Sequence, residues 1–177
     1  RGLGDVYKRQ GTINVMQGGG QLVGNGTGTI STMSGGSQTI NVGTGTVSTM
    51  INGSQNVNRN ATGTIDIISG GMQSVGPNGN GIINTMSNGN QNIIAGTGTV
   101  STMISGEQNI LGGGTGTVST MSGGSQNIED GSGIIDVMIS GEQNISSGAA
   151  GTINTMSGGS QRISSGGTGT VSTCLLY

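Results

Sequence analysis

The sequence predicts an all-β chain, a single-stranded β-solenoid (parallel β-helix) of about nine to ten coils, each 17–18 residues long. Three observations lead there. A glutamine recurs nine times, always 17 or 18 residues after the last. Two columns of β-branched residues keep register with it, and glycines punctuate every unit at fixed offsets. In consensus the unit reads G-T-[IV]-[NSD]-T-M-x-x-G-x-Q-N-[IV]-x-x-G-x, in some copies one residue longer.

Each unit opens with a short β-type run. Gly11, Gly28 and Gly45 begin the column that lies five residues before the Met position. Ile13, Ile30, Val47, Ile65, Ile83, Val100, Val118, Ile135, Ile153 and Val171 form the first β-branched column, as a pleated strand favours. Period-two alternation predicts that Val15, Thr32, Ile67, Thr85 and Val137, two residues on, share its inward face. Asn14, Ser31, Asp66, Asn84 and Asp136, in between, are expected to face water. The run closes on Met16, Met33, Met50, Met86, Met103, Met121, Met138 and Met156, with Ile68 in the fourth copy.

A glycine turn follows, with Gly19, Gly36 and Gly53 heading the column two residues before Gln. Such invariant positions suit a backbone of positive φ, or one with no room for a Cβ. The second run starts at Gln21, Gln38, Gln55, Gln73, Gln91, Gln108, Gln126, Gln143 and Gln161. Two residues on stands Val23, Ile40, Val57, Val75, Ile93, Ile110, Ile128, Ile145 or Ile163. The Met-to-Gln distance never changes, so every extra residue falls between Gln and the next Met: one side of the coil is rigid and the other holds a variable loop.

One unit cannot fold alone. Its two β-branched side chains and one Met contribute about 1.5–3 kcal/mol each, whereas ordering each backbone residue costs about 1–2 kcal/mol. Stacking resolves this, because each added coil covers both neighbours and completes their hydrogen-bond ladders. Identical residues then form columns along the axis: an Ile/Val ladder, a Met ladder and an amide-to-amide Gln ladder. At about 4.8 Å per coil the rod is roughly 45 Å long. Collagen would need Gly at every third residue, leucine-rich repeats a Leu framework and RTX nonapeptides an Asp per repeat. A Gly/Ser linker would not hold Ile or Val in register.

Composition narrows function. The chain has 177 residues with 40 Gly, nine Met, one Cys, two Tyr and no Phe, Trp or His. A His-ligated metal or a His-based triad is impossible, and a net charge of -2 supplies no basic surface for nucleic acid. No stretch reaches the ~18 apolar residues of a membrane helix, so no membrane contact is expected of this segment. Residues 1–10, RGLGDVYKRQ, share nothing with the repeat and resemble a translated sequencing adapter. Residues 174–177, CLLY, match the opposite strand of the same element. Both ends are therefore expected to be non-native, flanking a solenoid domain at 11–173 that is a fragment of a longer protein. Without Arg1, Asp5, Lys8 and Arg9, two Arg stand against six acids, net -4. Cys174 then says nothing of redox compartment. Unpaired strand edges are expected to make the isolated fragment stack end to end.

With GTINTMSGGSQ, GTVSTMISGEQ and SSGGTGTVST, the unit resembles the strand-loop-strand repeat of AIDA-type autotransporter adhesins over residues 11–173. The resemblance implies a passenger exported across the outer membrane and displayed as a β-solenoid on the bacterial surface. It further implies adhesion to host receptors or glycans and self-association with like solenoids on neighbouring cells. In such passengers some repeat Ser/Thr carry heptoses.

Candidate chemistry is sparse. Glycoside hydrolysis needs two carboxyls about 5–9.5 Å apart. Asp66 and Asp136 share a column four coils apart, about 19 Å, and Glu107 and Glu142 one two coils apart, about 10 Å, in an exposed turn. Glu129, Asp130 and Asp136 could clip a single Ca²⁺ but form no motif. The Met column could suit Cu(I), although Met also fills core space that aromatics leave empty. The Thr column from Thr12 and Thr29 to Thr170 invites an ice-binding reading. The residue two further on is Ser, Asn or Asp, so it counts as one rank and a structural Thr is preferred. The expectation is a non-enzymatic adhesin without cofactor or metal. A passive stalk presenting a distant domain is the alternative, and a carbohydrate-processing β-helix enzyme or an ice-binding solenoid stands further off.

Overall fold

The computed structural model describes residues 6–7 and 10–175. Among them there is no helix, and two ten-stranded parallel sheets run the length of the rod. Each coil contributes one long strand, such as Thr27–Met33, and one short strand, such as Ser37–Ile40. Successive long strands pair only with each other, and so do successive short ones, so the chain winds as a β-solenoid. Register is held by identity: Gly28 pairs Gly45, Ile30 pairs Val47, Met33 pairs Met50 and Gln38 pairs Gln55.

The two strands bury different side chains. In Ser37–Ile40 alternation is strict, with Gln38 and Ile40 inward. The long strand departs from it. Gly28, Ile30 and Met33 point inward, but Ser31 and Thr32 both face outward. The pairing shows where this happens, since Ile30 meets Val47 and Thr32 meets Thr49 while Ser31 is skipped. The strand turns a corner there, and a bend inserts an extra outward residue into the period-two count. The expectation that Val15, Ile67 and Val137 lie inward with the β-branched column is therefore corrected: they are 59, 47 and 38% exposed. Met, one residue later, takes the inward place.

The Ile/Val column and the Met column pack as one continuous cluster from Met16 to Met156. The column after Gln forms a second line, from Val23 to Val57 and on from Val75 to Ile145, joined by Ala61 at the start of its long strand and by Ala149 from the variable turn. Ile68 replaces Met in the fourth coil and is as fully buried.

Two glycine columns act for different reasons. All nine glycines two residues before Gln have φ between 78° and 108°, the left-handed region that a Cβ disfavours. The glycines five before Met have no positive φ. At Gly98 an added Cβ would overlap Ile93 Cδ1 and lie 2.8 Å from Gln91 Oε1. The absent side chain makes room for the amide column of the facing strand. Length variation falls where the sequence places it, between the short and the next long strand. There Asn60, Asn78, Ala95, Asp130, Ser147 and Ser165 adopt positive φ without being glycine.

Of the two terminal segments, residues 1–5, 8–9 and 176–177 lie outside the described residues, including Arg1, Lys8, Arg9 and Tyr177. Val6–Tyr7 pairs in parallel with Gly20–Val23, and Cys174 ends the last long strand opposite Met156, exposed.

Candidate functional site

The polar interior is one line of amides. Gln38 Nε2 donates to Gln21 Oε1 at 2.6 Å, and Gln55, Gln73, Gln91, Gln108, Gln126, Gln143 and Gln161 each donate to the preceding Gln at 2.7 Å. The second N–H goes to a glycine carbonyl, as from Gln91 to Gly81 O at 3.2 Å. Gln21, the first of the line, donates to Gly11 O at 3.0 Å. From Gln38 to Gln143 these side chains are fully buried, and no buried side-chain polar atom among the described residues lacks a partner. A fully satisfied amide has nothing left to offer a ligand. The column is a structural spine, and any functional surface lies outside.

Three of the acids have polar partners of their own. Asp66 accepts from Asn84 Nδ2 and Asp136 from Asn154 Nδ2, both at 2.9 Å and both exposed. Glu142 pairs Arg162 at 3.1 Å in an exposed ion pair of the kind that contributes little. Glu107 and Glu142 share a column with Ser125 between them. Among the described residues no three His, Cys, Asp or Glu side chains gather into a metal-holding group, so Glu129, Asp130 and Asp136 make no such cluster. The Met thioethers from Met16 to Met156 are buried in the core.

Three outward surfaces remain. On the short-strand sheet, half-buried Asn side chains form their own ladder: Asn109 donates to Asn92, Asn127 to Asn109 and Asn144 to Asn127, at 2.8–2.9 Å. At the edge beside the Met column lies a broken apolar stripe that sequence reasoning missed. Val15, Ile67 and Val137 precede the Met position, and Ile51, Ile104 and Ile139, each about half exposed, follow it. Gln17 follows Met16, and in the remaining coils the residue is Ser, of which Ser34, Ser69, Ser87 and Ser122 donate Oγ to a carbonyl of the coil below.

The third surface is the outer face of the long-strand sheet. Because Gly28 and Ile30 point inward, Thr27 and Thr29 flank the glycine on the outer face. Thr27 pairs Thr44, which pairs Thr62, and Thr29 pairs Thr46, which pairs Thr64. Thr97 pairs Thr115 and Thr99 pairs Thr117 in the same way. Counting only forward from the glycine finds one Thr rank; a second lies on its other side. It is legible as Thr-Gly-Thr, but it sits where coil length varies, out of step with a count anchored on Gln. Read against protein-family models, curated proteins and solved structures, the chain finds no match in any of the three.

Proposed function

We propose that this chain is a segment of a bacterial surface-displayed, non-catalytic solenoid of the autotransporter-passenger type, which acts in adhesion and in side-by-side self-association of cells. The observation that carries the reading is the repetitive, nearly uncharged outer surface. Only two Arg and six acids are spread over residues 11–173, while the apolar edge around Ile51, Ile104 and Ile139 recurs along the rod. Little repulsion opposes lateral contact of such rods, and shallow contacts repeated at each coil add up by avidity. Exposed acids that pair with Asn or Arg and a satisfied interior favour a binding surface over a catalytic one.

Bacterial cells displaying residues 10–175 should settle faster than cells displaying an unrelated passenger. The triple variant Ile51→Glu, Ile104→Glu, Ile139→Glu leaves the core untouched and should slow settling back to the control rate. Settling no faster than the control, with the rod folded on the cell surface, would sink adhesion and leave the passive stalk.

A further inference from the structure

We infer that the outer face of the long-strand sheet is an ice-binding surface, taking as its ligand the ordered water of a crystal face. This goes beyond the adhesive reading and uses a different side of the rod.

The argument starts from two repeats. Along a strand, Thr27 and Thr29 stand two residues apart on one face, about 6.7 Å. Across strands, each Thr stacks on its counterpart at about 4.8 Å, because pairing is residue for residue. The product is a near-rectangular array of hydroxyls and methyls whose two spacings are close to those of water oxygens on a prism face of ice. Stacked identical side chains also hold a parallel sheet flatter than its ordinary twist.

Asn80 and Ala150 interrupt the Thr27 rank, while the other changes keep part of the chemistry. Ile82 and Ile134 stand opposite Thr64, Thr99 and Thr117, keeping a β-branched methyl, and Ser132 stands opposite Thr115, keeping a hydroxyl. Neither rank contains a charged residue. The chain's own hydroxyl bonds come from Ser, such as Ser87 Oγ to Ile68 O at 3.1 Å. Among the described residues no Thr hydroxyl of these ranks enters a hydrogen bond; Gln side chains reach only the backbone carbonyls of Thr64, Thr117, Thr152 and Thr170, so the hydroxyls are left to water. A soluble ligand would ask for a concave pocket, whereas this is a repeating array of short side chains in register, without aromatic platforms, suited to a partner that is itself a lattice. Ordered waters held by regularly spaced hydroxyls and flanking methyls can merge with the crystal at no cost in mismatched hydrogen bonds.

The test uses the purified chain and growing ice crystals. Expected are faceted crystals, a gap between melting and freezing points that grows with protein concentration, and enrichment of the protein on ice. Thr46→Lys, and separately Thr99→Lys, should remove most of that gap, with circular dichroism confirming an intact β-solenoid. Asn127→Lys, on the opposite sheet, should leave it unchanged, as should the triple Glu variant of the apolar edge. Round crystals with no gap from a folded protein would overturn the inference. So would a gap that survives both Thr substitutions, or binding to crystalline polysaccharide without binding to ice.

Discussion

Gln91 shows at the scale of one residue how this interior works. It gives one N–H to Gln73, another to the Gly81 carbonyl, and accepts from Gln108. Gln91→Leu keeps the volume but leaves Gln73 Oε1 and one N–H of Gln108 without their partner. Each buried orphan costs about 1–3 kcal/mol, so a loss of about 2–6 kcal/mol is expected in urea unfolding. Gln91→Glu adds a titration. Burial raises the folded-state pKa above the unfolded value of about 4.3. The variant's deficit should therefore be small below pH ~4.3, grow as pH rises towards the raised folded value, and stay constant above it. Unfolding midpoints of variant and parent across that range would converge at acid pH; a pH-independent difference would contradict the ladder. Gly98→Ala tests the room made for the same amide. Overpacking against Ile93 Cδ1 and Gln91 Oε1 should cost about 1–3 kcal/mol. Gly24→Ala, with open space around its Cβ and no positive φ, should stabilise by up to about 1 kcal/mol.

At the scale of the element, the variable turn is the weak joint of each coil. Ala95 holds φ 55°, a conformation that costs an L-residue about 1–2 kcal/mol. Ala95→Gly removes that strain and gives back part of it in unfolded-state entropy, so a net gain of about 0.5–1 kcal/mol should appear in denaturant unfolding. The same scale separates what was legible in the sequence from what was not. Columns of Gln, Met and β-branched residues are visible in the chain because stacking requires the same residue at the same place in every coil. Strand identity and the amide ladder follow from them directly. The corner at Ser31 is not visible. A strict period of two places Thr32 beside Ile30, and nothing in Ser-Thr-Met announces that the strand turns before Met33. Hence the side of Val15, Ile67 and Val137, and with it the apolar edge, appears only in three dimensions. The Thr27 rank is the reverse case: its letters are plain, but its alignment across coils needs the pairing register.

At the scale of the whole molecule, stability is a sum over coils and their interfaces. Deleting residues 92–108 joins Gln91 to Asn109 and removes one whole coil, leaving every column matched. The shortened chain should keep its β circular dichroism, shrink by about 4.8 Å in X-ray scattering and lose only its share of stability. Deleting residues 92–99 instead shifts every later side chain against the coil below and should abolish cooperative unfolding. A chain whose fold tolerates neither deletion would point to an interior read as one unit rather than coil by coil.

Strands that lie across the axis also decide how the rod answers to force. When a chain is held at the two ends of the stack, every coil interface carries the load in series, and a terminal coil, paired on one side only, opens first, its hydrogen bonds parting in sequence rather than together. Each coil that peels away releases about 55 Å of extended chain in exchange for about 4.8 Å of rod. Under load such a filament lengthens in near-equal steps, absorbing work at each one, and winds up again coil by coil when the pull ends.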